Sequence, residues 1–110
     1  MNGTMLIISP SGSIKTCPLQ AAPDLDRLQE ELGGWLEQVS RFDTVMYHGS
    51  LRPCVAFCNE EGKLKGMKTN LRATQMWTIA LGRHGIPSPT DILCGNVVII
   101  FGDRELMEAL

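Results

Sequence analysis

Cys54–Asn59 (CVAFCN) is almost wholly apolar and runs without a break into the polar segment NEEGKLKG, Asn59–Gly66. An apolar run of that length, preceded by Pro53, fits a strand buried on both faces of a sheet. The polar segment that follows reads as a tight turn, with Gly62 expected to supply the positive φ. This junction constrains the chain most: a strand deep in a sheet must deliver a charged loop at its end.

The flanking segments supply the rest of a fold. Thr4–Ser9 (TMLIIS) reads as a strand, and Pro10 and Gly12 suit a turn over Ser9-Pro10-Ser11-Gly12. Ser13–Leu19 then returns as the hairpin partner. Asp24 is a helix N-cap, followed by Leu25, Leu28 and Leu32 at helical spacing. Gly33-Gly34 inside a helix would cost about 2 kcal/mol against alanine, which argues for a stop there. Trp35, Leu36, Val39 and Phe42 continue the helical period, so a longer helix is the alternative. The stop is preferred, with Trp35–Arg41 leaving as a strand.

Thr44–His48 (TVMYH) reads as a further strand, closed by Gly49-Ser50. Asn70 is a good N-cap for a second helix, Leu71–Arg83, whose positions Ala73, Met76, Trp77, Ala80 and Leu81 share a face. Gly82 and Gly85 are expected to end it, and Ile86–Pro89 to form a stiff connector. Asp91–Gly102 (DILCGNVVIIFG) is the last strand, with Gly95 a bulge or close-approach point. Asp103 caps a short terminal helix, Arg104–Leu110. The elements are mixed rather than alternating, which predicts an α+β fold: a mostly antiparallel sheet with two helices packed on one face.

The 110 residues fit a single domain, 1–110. With 44% hydrophobic and 20% charged residues a core forms. A net charge of −2 gives no general attraction for nucleic acid or anionic membranes, so nucleic-acid binding is not expected. The N-terminus MNGTMLIISPSGS has neither a basic leader nor a span-length apolar run, and a cytoplasmic protein that does not engage the membrane is expected. Cys17, Cys54, Cys58 and Cys94 form no CxxC pair and have no histidine near them. On one strand Cys54 and Cys58 would sit roughly 13 Å apart, too far for a disulfide or shared zinc. They read as small buried hydrophobes in a reducing compartment.

No catalytic pattern stands out. His48 and His84 have no nucleophile motif around them, and there is no metal spacing, no phosphate-binding glycine loop and no cofactor signature. Lys63, Lys65, Lys68 and Arg72 fall within ten positions and could form a positive patch for a phosphate or an acidic surface, or simply a solvated turn. Glu60-Glu61 and Glu30-Glu31 are adjacent pairs whose side chains diverge, so neither is an acid/base dyad. Glu37, if on a strand, is a charge in a sheet, either exposed or functional.

Three blocks, LQEELGGWLE (Leu28–Glu37), NEEGKLKGMKTN (Asn59–Asn70) and DILCGNVVIIFG (Asp91–Gly102), resemble the family known as domain of unknown function 3846, common in phages and other mobile elements. Met67-Lys68 stands where that family usually has Leu-Pro, and Phe42–Pro53 looks like an insertion relative to shorter members. The resemblance implies that Gly-Gly ends the helix, that NEEGKL is a strand end and turn facing a site, and that the protein comes from a mobile element. It brings no activity with it.

The expected site is therefore Asn59, Glu60, Glu61, Lys63, Lys65, Asn70 and Arg72, with Glu37 and Asp91. These groups suit a small phosphorylated ligand or a protein edge, or else only cap the turn and the helix. The leading expectation is a non-catalytic phage or mobile-element accessory protein that binds a host component, a host protein or a small phosphorylated ligand, in a counter-defence or sequestering role. A nucleotide-like ligand domain is the second reading. An enzyme is the third, and needs Glu37, Glu60, Glu61 and Asp91 to converge. Leu36, Val39 and the apolar C-terminal segment could support a homodimer.

Overall fold

The computed structural model describes residues 1–87 and 91–110. Strands β1 (Gly3–Ile8) and β2 (Ile14–Leu19) form the expected hairpin, and the Gly12 amide closes its turn by donating to the Ser9 carbonyl at 2.9 Å. Helix α1 (Leu25–Leu32) starts on the Asp24 side chain, which accepts from the Arg27 amide, and stops at Gly33 with φ 77°. The glycine pair thus ends the helix, as read. Strand β3 (Leu36–Gln38) follows and is only three residues long, shorter than Trp35–Arg41.

Strands β4 (Thr44–Tyr47) and β5 (Ser50–Pro53) pair as a separate hairpin. His48 and Gly49 both take positive φ, 47° and 78°, the turn geometry that matches strand twist. Strand β6 (Val55–Asn59) leads through an irregular loop to helix α2 (Leu71–Arg83). Gly82 lies inside α2, and Gly85, at φ 71°, follows its end. The Ser88-Pro89 part of the expected connector lies outside the described residues. Strand β7 (Val97–Gly102) is shorter than Asp91–Gly102, and α3 (Arg104–Glu108) begins on the Asp103 side chain as expected.

The main sheet has the order β2-β1-β7-β6-β3, with every neighbour antiparallel. β7 is its centre, and Val97–Phe101 are all buried. The two-sided burial expected of Cys54–Asn59 belongs more fully to β7, since Val55 and Phe57 of β6 are only half-buried.

Alternation along the strands divides the core in two. Leu6, Ile8, Ala56, Cys58, Val97, Ile99 and Phe101 pack with Ala73 and Ala80 of α2, and with Phe42 and Val45. Met5, Ile7, Val98 and Ile100 pack with Leu28 and Leu32 of α1 and Leu106 of α3. The class is α+β on an antiparallel sheet, as the sequence indicates. Two helices do share a face, but they are α1 and α3. The long α2 covers the opposite face, where the sequence reading had put it beside α1. The reason is β7 itself: a strand apolar at every position has no face to offer water and needs cover on both sides. Each fully buried aliphatic side chain in these layers contributes about 1.5–3 kcal/mol.

Asn70 joins the layers. Its side chain caps α2 by accepting from the Ala73 amide, and its amide group donates to the Ile8 and Gly95 carbonyls at 2.8 and 2.9 Å. Gly95 is a close-approach point, as read. Its φ is 76°, and a Cβ there would meet Met67 Sδ at 2.8 Å.

Candidate functional site

β6 ends at Asn59, which is buried with its side chain fully engaged. The amide donates to the Leu32 carbonyl at 3.0 Å, and the carbonyl oxygen accepts from the Glu61 amide at 2.8 Å. The end of β6 is thereby fixed to the end of α1. The loop then coils on itself, with the Lys65 amide donating to the Glu61 carbonyl and the Met67 amide to the Gly62 carbonyl, both at 2.9 Å. The positive φ in this loop belongs to Gly66, at 67°, and not to Gly62. Gly62 is required for space: a Cβ there would lie 3.2 Å from the Cys94 carbonyl oxygen and 3.4 Å from that of Asn59.

That close approach brings the loop against residues 91–94 and leaves a cleft of about 310 Å³ between them. Glu37 from β3, Asn59 at the end of β6, Glu60 and Lys63 from the loop, and Asp91 all line it. Lys63 pairs with Asp91, whose carboxylate also accepts from the Ile92 amide at 2.9 Å. Three carboxylates against one ammonium leave the cleft with a formal charge of −2 (Glu37, Glu60 and Asp91 against Lys63). Its floor holds two thiols, Cys58 and Cys94, and Leu64 and Ile92 are exposed at its rim.

Cys58 donates its thiol to Glu37 Oε1 at 3.7 Å. Burial first, then the Glu37 charge and this bond, push the thiol up to about 12, against a smaller pull from Lys63. The thiol therefore stays protonated at neutral pH and is a poor nucleophile. Histidine lies elsewhere: His84 Nε2 meets the Asp43 carboxylate at 2.8 Å, beside a separate, open groove. Among the described residues no group of three His, Cys, Asp or Glu side chains is placed to hold a metal ion.

The expected site residues thus divide. Glu37, Asn59, Glu60, Lys63 and Asp91 share the cleft, while Glu61, Lys65, Asn70 and Arg72 do not line it. The amide of Asn70 is spent inside the protein, so it offers nothing to a ligand. Arg72 donates to the Gly12 carbonyl at 2.8 Å and braces the β1–β2 turn. Lys65 reaches back over Gly34, and Lys68 lies in a shallow groove with Glu30 and Glu31. The expected positive patch of Lys63, Lys65, Lys68 and Arg72 does not form, because the loop and the start of α2 place each cation against a different neighbour. Leu36 and Val39, expected at a dimer contact, are not an open surface: Val39 is buried and Leu36 packs on the α1 face. Cys58, Leu64, Ile92 and Cys94 line the cleft without having been read as site residues. A polar start to an apparent strand, Asp91, was the one hint that 91–94 is loop.

A family model described as Domain of unknown function (DUF3846) matches residues 1–108. The chain belongs to that family. Comparison with curated proteins and with solved structures gives no match. In this DUF3846 chain the three blocks that carry the family resemblance meet at the cleft and supply all of its lining residues except Cys58. No helix among the described residues is long and apolar enough to cross a membrane.

Proposed function

We propose that this DUF3846 chain is a non-catalytic binding domain whose cleft captures a cationic group, an ammonium or guanidinium, of its partner. One observation carries the reading. Glu37, Glu60 and Asp91 come from three separate segments and converge on a cleft in which Lys63 is the only cation among the described residues. Carboxylates in a partly enclosed site favour a bidentate or charge-assisted donor over a phosphate, which they would repel. The balance of charge thus favours a basic partner over the phosphorylated ligand that the basic residues alone imply.

Binding is favoured over reaction because the cleft holds no activated nucleophile among the described residues. Asp91 pairs with Lys63, and the Cys58 thiol beside Glu37 stays protonated. An accessory role in a phage or other mobile element, occupying a host protein in counter-defence, is consistent with a recognition site that needs no reacting group. Four free cysteines, three of them buried, support a reducing, cytoplasmic setting.

Calorimetric titration with agmatine, n-butylammonium, inorganic phosphate and AMP tests the reading. Agmatine is expected to bind, and Glu37→Gln with Asp91→Asn to weaken it about tenfold or more. Binding of phosphate or AMP with none of agmatine would overturn it.

A further inference from the structure

β3 is an outer strand of the main sheet, paired only with β6. Antiparallel neighbours exchange both main-chain bonds at alternate residues. The Glu60 amide donates to the Trp35 carbonyl, and the Val39 amide to the Ala56 carbonyl, each at 2.8 Å. Trp35, Glu37 and Val39 therefore bond β6 through their main chain, while Leu36 and Gln38 turn their N–H and C=O groups outward. Among the described residues these outward groups meet no other strand. Trp35, 64% exposed, stands at the start of this edge.

Glu37 lies between those two outward-facing residues. Its Cα partner is Cys58, which faces the α2 side, and its carboxylate lines the acidic cleft. Residues directly opposite in an antiparallel pair share a face, with Cβ atoms about 4.5–5.5 Å apart. A strand bonded to Leu36 and Gln38 therefore sets one side chain opposite Glu37, at the mouth of the cleft. Short, charged edge strands also deter unwanted pairing. This one differs in that its charge opens into a cleft with two further carboxylates and an apolar rim.

We propose that the β3 edge docks an extended segment of a partner protein. The segment adds as an antiparallel strand to Leu36 and Gln38, and its Lys or Arg opposite Glu37 enters the cleft. The proposal rests on the cationic reading of the cleft and specifies its partner as polypeptide. Charge complementarity selects this occupant over a second copy of the chain. A β3-to-β3 pairing in the register that bonds Leu36 and Gln38 sets two Glu37 carboxylates face to face, which is destabilising.

The probe is a capped peptide, Thr-Val-Lys-Val-Thr, titrated beside agmatine. With lysine opposite Glu37, the two valines make the main-chain bonds and the lysine N–H points away. N-methylation of both valines is expected to weaken binding about tenfold or more, and N-methylation of the lysine to leave it nearly unchanged. Gln38→Pro removes an outward N–H without touching the β6 ladder, a position where proline is tolerated. It is expected to keep the melting temperature and agmatine binding while losing the peptide.

Equal binding of the valine-methylated and unmodified peptides, with agmatine still bound, overturns the edge proposal and leaves the cleft reading standing. Failure of both peptide and agmatine overturns both. A concentration-dependent dimer that Gln38→Pro abolishes would give the edge to a second copy and contradict the proposal.

Discussion

Glu37 and Cys58 face each other across the β3–β6 ladder, and the Cys58 thiol donates to Glu37 Oε1 at 3.7 Å. Cys58 and Cys54 are both pushed from an ordinary 9.0 up to about 12, by burial and by Glu37 and Asp43 respectively. Above about pH 9 the unfolded chain loses thiol protons that the folded chain keeps, so stability falls as pH rises from 9 toward 12. Each thiol removes up to about 1.4 kcal/mol per pH unit in that window. Urea midpoints measured across it should decline, and the Cys54→Ala/Cys58→Ala double variant should decline less. An identical decline in the variant would contradict the assignment.

Lys63→Ala separates the roles of the cation that lines the cleft. The Lys63–Asp91 pair is exposed, so its loss should change stability by less than about 1 kcal/mol. Release of the Asp91 carboxylate should tighten agmatine binding. Weaker binding in Lys63→Ala would indicate a ligand that needs the ammonium, and calorimetry reads the difference directly.

Asn70→Ala should cost about 2–4 kcal/mol, because it removes a helix cap and two hydrogen bonds to the buried Ile8 and Gly95 carbonyls. Asn70→Asp keeps the cap but loses both donors, so it should recover little. Agmatine affinity, measured below the unfolding transition, should be unchanged in any folded fraction. A large affinity loss would return Asn70 to the site.

Gly95→Ala meets two obstacles, the left-handed φ and the Met67 sulfur. The φ strain alone is worth about 1–2 kcal/mol. Met67→Ala in the same chain should relieve the overlap but not the φ strain, so the double variant should be more stable than the sum of the singles. Denaturation of all four chains in the cycle checks this. Strict additivity would show that Met67 moves aside freely.

Local chemistry was legible in the sequence wherever it was self-contained. Gly33-Gly34 ended α1 against a continuing apolar period, and Asp24, Asn70 and Asp103 marked their helix starts correctly. β5 escaped notice because Ser50–Pro53 is exposed at every position and carries no apolar alternation. The reason for Gly62 was misread because it lies in the carbonyl of Cys94, a contact distant in sequence. Which face α2 covers depends on the path of the loop before it, and local spacing does not encode that path. The same holds for the cleft: Glu37, Glu60 and Asp91 were expected in one site, but their approach depends on the β3–β6 pairing and on the contact of Gly62 with Cys94, which local spacing does not encode.

The central claim is that these carboxylates capture a cationic group, and a nitrogen–proton correlation spectrum recorded during agmatine titration tests it most directly. Saturable shifts should fall on Glu37, on residues 58–64 and on residues 91–94, and should vanish in the Glu37→Gln/Asp91→Asn variant. Shifts confined to the Asp43–His84 groove, or shifts that persist unchanged in that variant, would contradict it.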